Sequence, residues 1–133
     1  LKDHYGAISD YAKAIELDPK YSVAYYNRGN SKRELKDYYG AISDYTKAIE
    51  INPNDYKAHY NRGNAKGDLK DYYGAISDYS KAIEINPNFY QAYGNRGIAK
   101  SNIGDLEGAC SDWRKTDSLF PNTPAAKWVR DQC

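Results

Sequence analysis

The 133-residue chain has almost no net charge, no long apolar segment and only two cysteines. Its 19 lysines and arginines stand against 18 aspartates and glutamates, which leaves a formal charge of +1. A surface that attracts nucleic acid or an anionic membrane needs a basic excess, which is absent here. No apolar run approaches the ~20 residues of a membrane-spanning helix. We therefore expect neither a nucleic acid nor a membrane as partner.

Residues that carry metal or catalytic chemistry are also sparse. The two histidines, His4 and His59, stand apart, and no spacing of cysteine, histidine and carboxylate matches a metal site. The serines that recur along the chain have no neighbouring residue that could act as a base. Neither cysteine is expected to lie near a histidine. We expect no metal, no cofactor and no enzymatic activity.

One segment recurs along the chain at an offset of 34 residues. Leu35–Asn54, LKDYYGAISDYTKAIEINPN, returns at 69–88 with a single substitution. Further copies occupy 1–20 and, in degraded form, 103–122. A fixed period of this size is the signature of a repeat array.

Each repeat unit is predicted to form two antiparallel helices joined by a short turn. Asp37 is placed to cap the second helix through its side-chain oxygen. Asn52 ends that helix, because the residue before a proline is pushed out of the α region. Between them, apolar residues follow at spacings of three and four, the period of an amphipathic helix; these are Tyr38, Ala41, Ile42, Tyr45, Ala48 and Ile49.

The unit resembles the tetratricopeptide repeat (TPR). With each full unit numbered from its first residue, at 22, 56 and 90, glycine recurs at position 8, alanine at 20, an aromatic at 24 and proline at 32. Alanine also stands at position 27 in the first two of these units, where the third has Thr116. Arginine at position 7 and lysine at position 11 depart from the family pattern. The resemblance implies an all-α fold, a right-handed superhelical TPR solenoid of antiparallel helix pairs with a C-terminal capping helix. A pentatricopeptide RNA-binding array fits less well, since the period, the proline and the near-zero charge all disfavour it.

We divide the chain into a second helix of an incomplete unit (1–21), three full units (22–55, 56–89 and 90–123) and a capping helix (124–133). The first of these carries an apolar face with no helix to cover it, whereas the end of an array is usually polar and capped. We expect either that Leu1 is a cut within a longer array or that another chain supplies the missing helix. No signal peptide precedes the repeat, and the cytoplasm is only the default compartment.

An aspartate recurs at position 23 and an arginine at position 7. A second helix runs antiparallel to the first helix of the next unit, so positions that sum to about 31 are expected to face each other. This register leaves no member unpaired, whereas pairing within a unit would strand Asp10 and Arg130. The predicted structural ion pairs are Asp10–Arg28, Asp44–Arg62, Asp78–Arg96 and Asp112–Arg130.

Cys110 and Cys133 follow the same register, where the capping helix is expected to dock. Two interpretations stay open: a disulfide that holds the short cap, or two small buried thiols. A disulfide over this loop would contribute ~3 kcal/mol in the chain-entropy model.

In the TPR family the first helices line a concave groove that takes an extended peptide or a partner helix. An asparagine amide both donates and accepts, so it can hold a peptide backbone of any sequence. The resemblance places in this groove Tyr26, Asn27, Asn30, Lys57, Tyr60, Asn61, Asn64, Gln91 and Asn95.

Some TPR domains clamp a terminal carboxylate with lysine, arginine and asparagine. This chain keeps Asn30 and Asn61 at clamp-like positions but has Tyr26, Gln91 and Asn95 where the cations would stand. A carboxylate clamp is therefore not expected. We predict a non-enzymatic scaffold that binds a protein or peptide ligand in its groove. The alternatives are an array that self-associates through its uncovered N-terminal helix, and a targeting module cut from a larger enzyme.

Overall fold

A computed structural model describes residues 3–133, and these form eight α-helices and no strand. Three antiparallel pairs, α2–α3, α4–α5 and α6–α7, follow α1 and precede α8. Each helix packs against its neighbours in the chain, and α4 also touches α2 and α6. The predicted all-α stack of helix pairs is confirmed. The helices are α1 (His4–Leu17), α2 (Ser22–Glu34), α3 (Tyr38–Ile51), α4 (Tyr56–Asp68), α5 (Tyr72–Ile85), α6 (Tyr90–Asn102), α7 (Leu106–Leu119) and α8 (Pro124–Gln132).

The ends of the second helices lie where local chemistry predicts them. The Asp37 carboxylate accepts a hydrogen bond of 3.0 Å from the Gly40 amide and caps α3. Asp71 and Asp105 cap α5 and α7 in the same way. At the other end, α3 stops at Ile51, before Asn52 and the proline that follows it.

Within each pair the two helices approach closely because a glycine faces an aromatic ring. A Cβ atom added to Gly29 would lie 2.8 Å from the ring of Tyr45, and one added to Gly63 would lie 2.8 Å from Tyr79. Real Cβ contacts are almost never that short, so any larger residue would push the helices apart. Tyr45 is fully buried as a result.

The predicted register of the arginine–aspartate ladder is wrong: each arginine binds the aspartate of its own unit. Arg28 donates to both carboxylate oxygens of Asp44, at 2.8 and 2.7 Å. Asp10 and Arg130, the two members that this register leaves over, are exposed and form no ion pair within residues 3–133. The three pairs are Arg28–Asp44, Arg62–Asp78 and Arg96–Asp112.

The pairing within each unit has a geometric cause. Each second helix packs against its own first helix and against the first helix of the next unit, and both carry an arginine at position 7. Position 23 turns out to face the helix of its own unit. Across the unit boundary the arginine meets a hydroxyl instead: Arg62 donates to Thr46 Oγ1 at 3.2 Å, and Arg96 donates to Ser80 Oγ at 3.1 Å.

A lysine one turn after the arginine completes each cluster. Lys32 Nζ lies 3.0 Å from Asp44 Oδ2, and the next two units repeat the contact with Lys66 and Lys100. Only 5% of the Asp44 side chain is exposed, so two cations compensate one buried carboxylate. The hydrogen bond with Asp44 raises the pKa of Arg28 above its ordinary value, against the opposing effect of burial.

The last helix is tied down by a disulfide between Cys110 of α7 and Cys133, with Cα atoms 5.8 Å apart. The helix itself buries one residue, Ala125. Trp128 and Val129 pack, half-buried, on the core of α7. The bond therefore anchors a helix that has little core of its own.

A double-mutant cycle distinguishes the two ion-pair registers. We expect Asp78→Ala to lower the free energy of unfolding by about 3 kcal/mol, because it leaves Arg62 and Lys66 without their shared anion. Combined with Arg62→Met, it should show a coupling of roughly 1–3 kcal/mol in chemical denaturation. The matched cycle of Arg62→Met with Asp44→Ala should show a coupling within about 0.5 kcal/mol of zero. A larger coupling to Asp44 than to Asp78 would restore the between-unit register.

Reduction is expected to loosen α8 before the rest of the chain. Reduction opens the loop closed by Cys110 and Cys133, which lie 23 residues apart. This lowers the stability of α8 packed against α7 by up to ~3 kcal/mol. Hydrogen exchange of the Trp128 and Val129 amides, followed with and without a phosphine reductant, measures this. The Cys110→Ala/Cys133→Ala variant is the control, since its exchange should not respond to the reductant. Equal protection in oxidised and reduced protein would contradict the anchoring role.

Candidate peptide-binding groove

The first helices α2, α4 and α6 carry three neighbouring pockets. The N-terminal pocket, about 710 Å³, lies between α1 and α2. The central pocket, about 330 Å³, lies between α4 and α6, and the C-terminal pocket, about 300 Å³, lies between α6 and α8. Arg33 lines the first two pockets and Asn95 lines the last two. The three pockets therefore share walls and form one groove.

Most residues that the sequence assigns to a groove are found here. Tyr26 lines none of the three pockets but contacts Asn61 through a hydrogen bond. Lys57 is exposed and also lines none of them. The predicted residues that line the pockets are Asn27, Asn30, Tyr60, Asn61, Asn64, Gln91 and Asn95.

Tyrosine and asparagine side chains link successive first helices. Asn61 Nδ2 donates to the hydroxyl of Tyr26 on the preceding first helix, at 2.8 Å. One unit later, Asn95 Nδ2 donates to the Tyr60 hydroxyl at 2.9 Å and to Asn64 Oδ1 at 3.0 Å. These amides therefore hold the units together, a role that the sequence does not reveal.

A second set of hydrogen bonds joins the core to the groove. The Tyr45 hydroxyl donates to Asn30 Oδ1 at 2.6 Å, and the Tyr79 hydroxyl donates to Asn64 Oδ1 at 2.7 Å. Burial raises the pKa of both tyrosine hydroxyls far above the ordinary value, so they remain protonated donors. The same ring that packs on a glycine thus orients a groove amide.

The third unit breaks this pattern at two positions together. Trp113 replaces the core tyrosine and has no hydroxyl to donate. Its Nε1–H donates instead to the backbone carbonyl of Gly94, at 3.3 Å. Ile98 stands where Asn30 and Asn64 stand in the other units. The groove consequently changes from amide-lined to more apolar towards its C-terminal end.

Four of the predicted groove amides keep groups that are open to a ligand. No hydrogen bond from the described residues reaches Asn27, where the ladder has no preceding first helix within residues 3–133. Gln91 is exposed and likewise makes no hydrogen bond within that range. Asn30 uses only its oxygen and Asn95 only its nitrogen. The open groups include both donors and acceptors, as a peptide backbone requires.

One ion pair crosses the groove between units. Arg33 Nε donates to Asp68 Oδ2 at 2.8 Å, with about a third of each side chain (31%) exposed. Burial works against the charge of Arg33, but the hydrogen bond and charge of Asp68 outweigh it and raise the pKa of the guanidinium. Nothing in the sequence indicates that these two residues pair, because they lie 35 residues apart.

A stack of antiparallel helix pairs that offers the row of its first helices as a groove defines the class of helical-repeat scaffolds. Models described as tetratricopeptide repeat match residues 22–55, 56–89, 78–111 and 1–21. The chain belongs to the tetratricopeptide repeat family, as the resemblance predicted. None of the curated proteins compared with the chain matches it.

Solved structures of similar chains agree with this family. The first TPR of Spaghetti (RPAP3), bound to the HSP90 peptide SRMEEVD, is 30% identical, with a TM-score of 0.80 over 82% of this chain and 87% of that one. The Arabidopsis OM64 TPR domain is 28% identical, with a TM-score of 0.79 over 82% and 90%. MamA, 24% identical with a TM-score of 0.90 over 98% and 82%, shows the shared fold.

Two further features bear on the surroundings of the groove. Within residues 3–133, no helix combines the length and apolar character that crossing a membrane requires. The described histidines, cysteines and carboxylates form no group of three or more that could hold a metal ion.

Proposed function

We propose that the chain is a protein-interaction scaffold that holds an extended segment of a partner along α2, α4 and α6. The observation that carries this proposal is the sharing of pocket walls. Arg33 and Asn95 each belong to two pockets, so a ligand can run through all three without leaving the groove. A continuous polar groove on rigid helices suits a peptide in extended conformation.

The chemistry of the groove favours recognition of the backbone and of neutral side chains. Its open amides both donate and accept, whereas its one arginine, Arg33, is already paired with Asp68. Tyr26 and Gln91 stand where a carboxylate clamp would need cations. An internal segment of a partner therefore fits better than a free C-terminal carboxylate.

The comparison with a peptide-bound relative supports a peptide as the ligand. The RPAP3 domain, bound to the peptide SRMEEVD, shares 30% of its residues with this chain over 82% of it. The row of first helices is the proposed place for such a ligand because the connected pockets lie along it. The side chains that line the groove of this chain, and not those of the relative, would determine which peptide binds.

A blocking substitution at the central pocket tests the groove. Gly67 lines that pocket, and a Cβ added there would meet nothing closer than the Tyr79 hydroxyl at 3.9 Å. Linear peptides selected from a random display library on the wild-type chain would serve as ligands. We expect Gly67→Arg to weaken them at least tenfold in calorimetry, because the long side chain fills the path between the outer pockets.

Ser77→Arg is the matched control. Ser77 is exposed on the second helix α5 and lines none of the three pockets. The substitution places the same arginine side chain away from the groove. The affinity for the selected peptides should therefore stay within about twofold, less than half a kcal/mol. Binding that survives Gly67→Arg but falls with Ser77→Arg would place the ligand elsewhere.

A second candidate function is self-association through α1. This helix buries no residue, whereas α3, α5 and α7 each bury an alanine and an aromatic ring. Tyr11, the counterpart of the buried Tyr45, lines the N-terminal pocket, and Leu17 is 88% exposed. We expect light scattering to show a mass that rises with concentration, and Tyr11→Ser/Leu17→Ser to abolish the rise, since burial of such side chains drives association. A monomer at every concentration would eliminate this function.

A further inference from the structure

The first helices carry a row of aromatic side chains with one member missing. Tyr26, Tyr60 and Trp128 occupy position 5 in their helices, with Trp128 in α8 counted as the next repeat. At intervals of 34 residues the series runs 26, 60, 94 and 128, and Gly94 stands at the third place. The C-terminal pocket lies beside Gly94, bounded by its neighbours in the row.

Packing does not require a glycine at this place. A Cβ added to Gly94 would meet Thr116 at 3.6 and 3.7 Å, which are ordinary van der Waals distances. At Gly63, by contrast, the added atom would lie 2.8 Å from a core ring. A glycine in the middle of a helix lowers stability relative to alanine. The residue at 94 therefore leaves a pocket open at a cost to the fold that packing does not explain.

The walls of the pocket are rings that other rings hold in place. Tyr60 packs edge-on against Phe89, with centroids 4.8 Å apart. Tyr90 stacks on Phe120 at 4.7 Å, and Trp128 leans on Trp113 at 5.2 Å. Each wall is fixed before any ligand arrives. Preformed pockets bind without the entropic cost of ordering their own side chains.

The pocket also differs from the other two in charge. None of its lining residues is charged, whereas Arg33 and Asp68 line the central pocket and Asp3 and Glu34 line the N-terminal one. An ion brought here would lose its water and find no counter-charge, which is unfavourable. A neutral side chain would meet no such penalty.

We propose that the C-terminal pocket takes a neutral aromatic side chain, phenylalanine or tyrosine, from the extended partner segment. The ring occupies the place left empty beside Gly94, between Tyr60 and Trp128, and completes the aromatic row. The inference rests on the proposed groove function and adds a side-chain preference at one end of it. A volume of about 300 Å³ accommodates one such side chain.

The test uses blocked amino acids as probes and the full chain as receptor. N-acetyl amides of phenylalanine, tyrosine, leucine, aspartate and lysine are titrated while NMR follows the indole N–H signals of Trp113 and Trp128. We expect the phenylalanine and tyrosine amides to shift the Trp128 signal to saturation. The affinity of each, taken from the titration, should be at least fivefold higher than that of the leucine amide. The aspartate and lysine amides should leave it unchanged at the same concentrations.

Substitutions at Gly94 link this response to the pocket. Gly94→Tyr restores the aromatic row and should weaken the phenylalanine amide at least tenfold, whereas Gly94→Ala should stay within threefold. Gly94→Leu is a smaller block that serves if the tyrosine variant does not fold. Aromatic binding that persists in Gly94→Leu and Gly94→Tyr, or charged amides that bind as well as aromatic ones, would overturn the inference.

The Gly67→Arg variant at the central pocket distinguishes failure of the aromatic preference from failure of the proposed groove. Gly67→Arg lies outside the C-terminal pocket and should leave the phenylalanine amide unaffected while it weakens long peptides. If long peptides bind and respond to Gly67→Arg but no aromatic amide binds, the groove stands and the aromatic preference is wrong. If the aromatic amide binds and Gly67→Arg has no effect on long peptides, the preference stands and the groove is wrong.

Discussion

The structure depends on one close approach, that of a core aromatic ring to a glycine on the facing helix. The ring of Tyr45 lies where a Cβ of Gly29 would be, and Tyr79 lies on Gly63 in the same way. This contact sets the distance between the two helices of a unit. That distance in turn lets Arg28 reach Asp44 with two short hydrogen bonds. A residue larger than glycine at either place would separate the helices and strand a buried carboxylate.

The same ring connects the core to the groove. Its hydroxyl leaves the core and holds an asparagine oxygen on the first helix, as in Tyr79 and Asn64. The next unit then binds that asparagine through Asn95. The groove amides are therefore partly committed to the architecture, and only their remaining donors and acceptors are open to a ligand of the proposed kind. Rigidity of this kind reduces the entropy that a binding site loses when it is occupied.

The groove is also asymmetric, although the repeats are nearly identical. Charged side chains line its N-terminal and central pockets, and uncharged rings line its C-terminal one. The difference arises in the third unit, where Trp113, Gly94 and Ile98 depart from the pattern together. The two ends of the groove therefore differ in chemistry, although the units that form them are close copies of one another.

The sequence by itself determined the period, the helix pairs and their ends. Those features depend on local chemistry: the cap at Asp37, the stop before Pro53 and the apolar spacing between them. The family and the list of groove positions followed from the same repeat. Most of the listed residues do line the pockets, since a helix presents fixed positions to a given side.

Only the tertiary structure decided which partner each side chain meets. Asp44 has an arginine available on either side, Arg28 or Arg62, and nothing local distinguishes them. The helix that carries Asp44 packs between two similar helices, and the side on which the carboxylate lies decides which arginine it binds. That side follows from how closely the helix packs against each neighbour. The commitment of Asn61 and Asn95 to structural hydrogen bonds, and the pocket beside Gly94, were hidden for the same reason. Both depend on contacts between residues of different units, about 35 residues apart in the chain. Because the repeats are nearly identical, the sequence does not show which of these residues are in contact.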